Sequence, residues 1–218
     1  MYLFGLFIQS VFIENFLLSN FLGMCTYLAC SSKLKTANGL GLAVVFVMTV
    51  SGVLNWSVHH FITSPEALSF LGVDLSFLEF LLFICVIAAF TQIAEIVIDN
   101  KFFSLYRSLG LYLPLIAVNC AILGASLFAA TRELPFLPNL VYVFGSSLGW
   151  WLAICLMAAI REKLSYSNPP QGLEGMGITF IMTGIISLGF MGFTGMNLAK
   201  STKKSEQVKV VEKKKIQK

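Results

Sequence analysis

Residues 15–32 read NFLLSNFLGMCTYLACSS, a run of eighteen residues without Asp, Glu, Lys or Arg. About 20 apolar residues in a helix cross the roughly 30 Å hydrocarbon layer of a bilayer. The run therefore predicts a membrane span, which lengthens backwards to Leu3 if Glu14 lies inside it. No basic region or small-residue cleavage site precedes the run, so we expect this first apolar segment to stay in the structure.

The composition of the whole chain supports a membrane protein. Of 218 residues, 57% are hydrophobic and 12% are charged, and the mean hydropathy is +0.82. Soluble domains carry about 25% charged residues, so the polar surface here is too small to cover a globule in water. We predict an all-α protein whose surplus apolar surface contacts the lipid bilayer. Disordered, collagen-like, coiled-coil, soluble Rossmann and nucleic-acid-binding proteins are excluded.

Five further charge-free runs predict five more spans, the third of which reaches Ile98 if Glu95 lies near its end. We therefore predict a six-helix membrane domain over residues 1–199 and a lysine-rich, disordered tail over 200–218. The five runs are 36–65, 80–94, 108–131, 140–160 and 175–199.

Six spans divide into two halves of three, over about residues 1–100 and 101–199, and an odd number per half inverts one half relative to the other. The strings FLGMCTYLA (21–29) and IAVNCAILG (116–124) occupy matching places, which makes Cys25 and Cys120 equivalent. Polar and helix-breaking residues surround both strings and predict that helices one and four are interrupted. They are Glu14, Asn15, Ser19, Asn20 and Gly23 in the first helix, and Pro114, Asn119 and Gly124 in the fourth.

Basic residues predict the orientation of the chain. Six of the seven that precede the tail lie in the first, third and fifth loops. By the positive-inside rule these loops are cytoplasmic and both termini lie on the outer face. The tail, with 8 Lys and 2 Glu, contradicts this orientation, but charges after the last span have less power to set it.

Two of the five cysteines are candidate metal ligands, because repeat symmetry and helix interruption would bring Cys25 and Cys120 together. A 2Fe-2S cluster takes four thiolates, so a cluster requires a second chain of the same construction. Zinc takes the same ligands, but a redox-inert ion has no obvious purpose at this depth. Cys30, Cys85 and Cys155 are expected to be small buried hydrophobes.

Carboxylates inside spans are costly and indicate function. Glu14 and Glu95 are candidates for an ion path, while Asp74 and Glu79 are expected at the membrane interface. His59 and His60 are predicted to be solvated in an outer loop. The glycines of span six predict a small-residue face for close helix contact.

Three motifs resemble those of the E-type subunits of bacterial Na⁺-translocating NADH:quinone oxidoreductases. They are FIENFLLSNFLGMCTYLA (12–29), LPLIAVNCAI (113–122) and GLEGMGITFIMTGIISLGFMGF (172–193). The likeness runs from about Val11 to Leu198, and the membrane subunits of Rnf electron-transport complexes are more distantly similar. Rnf relatives generally have proline after the first cysteine, where this chain has Thr26.

This resemblance implies a function in a complex of six subunits in the bacterial inner membrane. A homologous D-type subunit pairs with the E-type subunit, and the two hold a 2Fe-2S cluster by two cysteines each, which match Cys25 and Cys120. The cluster passes electrons from a cytoplasmic flavin and ferredoxin-like subunit to a covalent-flavin subunit on the outer face. Sodium is exported, with Glu95 matching an acidic residue linked to it, while other subunits bind the flavins, NADH and quinone.

Three alternatives remain open from the residues. The chain could be an Rnf-type membrane subunit, a non-redox transporter or channel with packing cysteines in which Glu14 binds the substrate, or a structural membrane scaffold. Iron content separates the electron carrier from the last two, because neither of them needs a metal.

Overall fold

A computed structural model describes residues 2–63, 76–101, 113–166 and 175–194 of the chain. Over these ranges every regular element is a helix, as the composition predicts. Two of the helices run on into a five-residue π-helical turn, Gln9–Ile13 after the first and His59–Thr63 after the third. The helices are α1 (Tyr2–Ile8), α2 (Met24–Cys30), α3 (Leu34–Val58), α4 (Ser76–Lys101), α5 (Leu113–Ala117), α6 (Cys120–Thr131), α7 (Phe136–Leu164) and α8 (Met176–Thr194).

Four of these helices are long and apolar enough to cross a membrane. Their spanning portions are Leu34–Phe61, Glu79–Val97, Phe136–Leu164 and Met176–Phe193. The segments Leu3–Ile13 and Leu115–Thr131 are shorter apolar helices, and they belong to the two regions where interruption was predicted. Asp74, Arg107 and the tail at 200–218 lie outside the described residues.

The first predicted interruption is present between α1 and α2. Helical structure ends at Ile13 and resumes at Met24, and Asn15 satisfies much of the backbone exposed by the break. Its Oδ1 accepts from the amide of Leu17 at 3.1 Å, and its Nδ2 donates to the carbonyl of Val11 at 3.2 Å. The same Nδ2 also donates to the carbonyl of Gly149 in α7 at 2.8 Å. The buried amide therefore replaces hydrogen bonds that a continuous helix would make.

The second interruption lies between α5 and α6, at residues 118–119. Asn119 caps α6, because its Oδ1 accepts from the amide of Ala121 at 3.0 Å. Pro114, which was expected to contribute to the break, lies in α5 just before it. The cap at Asn119 marks the break itself.

The centre of the bundle is the antiparallel packing of α3 against α7. Gly41 lies against the ring of Trp151, and a Cβ on Gly52 would come within 2.7 Å of Val143. On the other side of α7, a Cβ on Gly149 would lie 2.7 Å from the carbonyl oxygen of Val11. Backbones approach this closely because glycine has no side chain.

The small-residue face predicted for the last span does not pack within the described chain. A Cβ on Gly184, Gly189 or Gly192 would meet nothing within 4 Å, and the neighbouring Leu188 is 70% exposed. Close helix contact at this face therefore stays a prediction, because glycine spacing alone does not specify the partner. Close helix contact is made by the glycines of α3 and α7 instead.

Candidate functional site

The two broken segments meet at one of the candidate cysteines. Cys120 is the first residue of α6, and its Sγ accepts a hydrogen bond of 2.8 Å from the backbone amide of Gly23. Cys25 follows Gly23 by two residues and is the second residue of α2. Each cysteine therefore lies in the first turn of a helix that begins after a break, and the breaks touch.

Gly23 has a backbone conformation that residues other than glycine rarely adopt. Its φ of +83° lies in the left-handed region, and it precedes the first residue of α2. A Cβ there would lie 2.5 Å from Nε1 of Trp150 and 3.0 Å from Oδ1 of Asn119. Only glycine fits this position without strain or displacement of its neighbours.

Two buried nitrogen donors beside Gly23 lack acceptors. Trp150 and Asn119 are 0% and 2% exposed, and neither Nε1 of Trp150 nor Nδ2 of Asn119 has a hydrogen-bond partner among the described residues. A buried donor without an acceptor costs about 1–3 kcal/mol. The immediate neighbourhood of Cys120 is therefore rich in N–H groups, which suits an electron-rich sulfur group.

The exposure of the cysteines separates them into two kinds. Cys25 is exposed and Cys120 is partly exposed, whereas Cys30 is completely buried in the core. Cys25 and Cys120 are therefore open to a neighbouring chain, while Cys30 faces inward, as expected of a small hydrophobe. Cys85 is exposed on α4 and Cys155 is partly exposed on α7, so these two are less buried than predicted.

The described chain does not hold a complete metal site by itself. No group of three or more His, Cys, Asp or Glu side chains is placed to hold a metal ion within the described residues. Two thiols, one after each of the two touching helix breaks, would supply half of a four-thiolate set. The donor set is thus compatible with a cluster shared between two chains.

Glu14 has partners that its place in the sequence did not indicate. Its Oε2 lies 2.8 Å from Nη2 of Arg132, and its Oε1 accepts from Nε2 of Gln9 at 2.9 Å. Arg132 also lies over the ring of Tyr142, 5.1 Å from the centroid. The carboxylate is therefore already compensated by a cation, and it ties the first break to the end of α6.

Glu95 has a different setting from Glu14. It lies on α4, is partly buried, and makes no hydrogen bond or ion pair with any described residue. No contact joins the two carboxylates. Of the two ion-path candidates, Glu95 is the one without a cation partner in the described part of the chain.

The two histidines extend the end of α3 rather than standing in a loop. Nδ1 of His59 lies 2.8 Å from Oε1 of Glu79, and both side chains are partly buried. His60 stacks on Trp56, with ring centroids 5.1 Å apart and an interplanar angle of 11°. The prediction of solvated loop residues was wrong for His59, because its ring is paired across to α4.

Sequence reasoning missed Trp150 and Arg132 as neighbours of the candidate residues. Trp150 lies in an uninterrupted apolar run, where nothing distinguishes it from other core aromatics. Arg132 was counted only as a loop charge. The signal that existed for Arg132 was its charge, which is opposite to that of Glu14.

Comparison with known proteins shows extensive similarity. A family model described as "Rnf-Nqr subunit, membrane protein" matches residues 3–197. A protein of Chlamydia muridarum, named as the E subunit of a Na(+)-translocating NADH-quinone reductase, is 59% identical over 208 residues, covering 93% of this chain and 85% of that protein. A protein of the same name from Proteus mirabilis is 53% identical over 194 residues, covering 89% of this chain and 98% of that protein.

Proposed function

This chain belongs to the Rnf-Nqr family of membrane subunits, and we propose that it is the E-type subunit of a Na⁺-translocating NADH:quinone reductase. Its relatives in Chlamydia and Proteus carry the name of that subunit. Thr26 after Cys25 favours this enzyme over an Rnf-type complex, in which proline is usual at that place.

The proposed task of the chain is to supply half of the ligands of an intramembrane 2Fe-2S cluster. Cys25 and Cys120 are the two ligands, and a homologous D-type subunit supplies the other two. The observation that carries this proposal is the hydrogen bond of 2.8 Å from the amide of Gly23 to Sγ of Cys120, because it joins the two cysteine-bearing breaks.

The surroundings of these thiols suit a negatively charged sulfur ligand. The Gly23 amide donates to Sγ of Cys120, and the first turn of α6 presents the positive end of a helix dipole to that thiol. The unpartnered N–H groups of Trp150 and Asn119 lie close by. The cluster, when bound, supplies one-electron redox chemistry, while the chain binds, orients and partly buries its ligands.

We assign the chain to the electron path of the complex. Electrons enter from the cytoplasmic flavin and ferredoxin-like subunit and leave to the covalent-flavin subunit on the outer face. NADH, quinone and the flavins belong to other subunits. An electron carrier within the membrane shortens an electron transfer that would otherwise cross about 30 Å of hydrocarbon.

Sodium export is coupled to this electron path. Glu95 is the proposed ion-path residue of this chain, since its partly buried carboxylate has no cation partner among the described residues. Glu14 is the secondary candidate, and a passing ion would have to compete with Arg132 for it.

The proposed topology is a six-span inverted repeat in the bacterial inner membrane. Residues 1–100 and 101–199 form the two halves, both termini lie outside, and 200–218 is a disordered tail. Support comes from the four long apolar helices and from two shorter apolar segments that are broken at corresponding places. Broken helices at membrane depth are tolerated where protein covers them, and Asn15 and Asn119 each hydrogen-bond to backbone beside their break.

The test is an iron and acid-labile sulfide analysis of the purified complex. Cys25→Ser and Cys120→Ser should each remove about two iron and two sulfide per complex and abolish quinone reduction. Cys85→Ser is the matched control, because Cys85 is equally an exposed thiol, and it should leave iron, sulfide and turnover unchanged.

A non-redox transporter or scaffold predicts the opposite result. The Cys25 and Cys120 variants would then keep the iron and sulfide content of the wild-type complex. That outcome would assign the two cysteines to packing and end the cluster proposal, whatever the family of the chain.

A further inference from the structure

A basic groove lies at one end of the bundle, between the start of α3 and the end of α7. The cavity has a volume of about 970 Å³. Its lining includes three cationic side chains and several hydrogen-bonding groups. They are Lys33, Lys35, Arg161, Asn38, Ser32 and Ser165.

Positive charge dominates this groove. Glu162 is the single acidic residue among the lining residues, against Lys33, Lys35 and Arg161. Neither lysine is in an ion pair with any described residue. The groove therefore presents an excess of unneutralised cations in one concave surface.

Two structural features turn these charges into a recognition site for an oxyanion. Nη1 of Arg161 donates to the carbonyl of Leu28 at 3.2 Å and to Oγ of Ser31 at 2.8 Å, which holds the guanidinium in place. The helix α3 begins at Leu34, and Lys33 before it provides no side-chain cap. The side chain of Lys33 therefore leaves the first amides of α3 uncapped, and a helix N-terminus favours a phosphate group.

The depth of the groove indicates the source of the anion. The spanning portions Leu34–Phe61 and Phe136–Leu164 begin and end here, so the groove lies at the level of lipid headgroups. Apolar surface continues from it, since Leu34 is 42% exposed and Cys155 also lines the cavity. Nε1 of Trp151 donates to Oδ1 of Asn38 at 3.1 Å, an arrangement common for tryptophan at a membrane interface.

We propose that this groove binds the headgroup of an anionic phospholipid. Lys33, Lys35 and Arg161 contact the phosphate, and the acyl chains extend along the apolar side of the groove. A soluble anion would contact the cations but not the apolar surface beside them. An acidic protein would need a larger charged face than these three cations present. Neither Cys25 nor Cys120 is among the described residues that line this groove.

The test is photo-crosslinking of the intact complex with a photoactivatable phosphatidylglycerol, followed by mapping of the labelled peptides of this chain. Labelling is expected around residues 33–38 and 151–165, and an equivalent phosphatidylcholine probe should label them weakly. The double variant Lys33→Gln/Lys35→Gln should lower labelling by about tenfold or more, as expected for two lysines near an anionic lipid. Lys163→Gln is the matched control, since Lys163 is exposed at the same end but does not line the groove.

Three results would overturn the proposal. Labelling that is equal in the double variant and the wild type would show that the groove does not hold the lipid. Suppression of labelling by inorganic phosphate, but not by sodium chloride of equal ionic strength, would identify a site for free phosphate. Loss of a soluble subunit from the double variant, with lipid labelling retained, would assign the groove to a protein interface.

Discussion

The backbone amide of Gly23 donates a hydrogen bond of 2.8 Å to Sγ of Cys120, across 97 residues of sequence. This bond joins the irregular segment before α2 to the first residue of α6. The position of each partner depends on a local feature. Gly23 is positioned by its left-handed backbone conformation, and Cys120 is positioned by the cap at Asn119. The contact places a sulfur ligand and the two helix breaks in one structural unit.

Replacing Gly23 by alanine should disrupt this unit. The φ of +83° is strained for alanine, and the added Cβ would lie 2.5 Å from Nε1 of Trp150. We expect Gly23→Ala to destabilise the chain by about 1–3 kcal/mol and to lower the iron content of the purified complex. Thermal unfolding and iron analysis measure the two effects.

Gly184→Ala is the control for this substitution, since a Cβ at Gly184 meets nothing within 4 Å. Alanine there should leave the unfolding temperature unchanged or raise it slightly, because alanine is the better helix former. Equal behaviour of the two variants would show that the close packing around Gly23 is unimportant.

Asn119 has a side-chain oxygen that caps α6 and an amide nitrogen that has no partner among the described residues, and substitutions can test the two separately. Asn119→Ser keeps a side-chain oxygen that caps α6, whereas Asn119→Ala removes it. We expect the alanine variant to lose about 1 kcal/mol of stability and the serine variant to lose much less. Thermal unfolding of both proteins measures the difference, and an alanine variant as stable as the serine variant would contradict the capping role.

The Glu14 and Arg132 pair should behave as a coupled unit in a double-mutant cycle. Each single change, Glu14→Gln or Arg132→Gln, removes one side of this partly buried ion pair. We expect each to lower stability by about 1–2 kcal/mol and the double variant to cost less than the sum of the two. Additive losses in thermal unfolding would mean that the pair contributes nothing as a pair.

Sodium dependence should distinguish Glu95 from Glu14. Glu95→Gln removes a carboxylate that has no cation partner among the described residues. We therefore expect the sodium concentration for half-maximal turnover to rise by about tenfold or more. Glu14→Gln should change stability more than sodium dependence, because Arg132 already neutralises that carboxylate. Glu133→Gln, at an exposed position after α6, serves as the control. A normal sodium response in Glu95→Gln would remove Glu95 from the ion path.

The features that were predictable before the structure are those that depend on local composition. Charge-free runs predicted α3, α4, α7 and α8 as long apolar helices, because transfer of each segment into lipid depends on its own side chains. The breaks in the first and fourth regions were also predictable, since Gly23 and Asn119 favour non-helical backbone by their own chemistry.

What the amino-acid sequence determined by itself is therefore a helical membrane chain, its interruptions and its two candidate thiols. Only the tertiary structure decided which neighbours those residues have: the Gly23 amide for Cys120, Arg132 for Glu14, and α7 rather than α8 for close glycine packing. Lipid solvation acts on each segment separately, whereas a contact between distant segments depends on how whole helices fit together. That fit is a property of shape in three dimensions, and no local pattern of residues contains it.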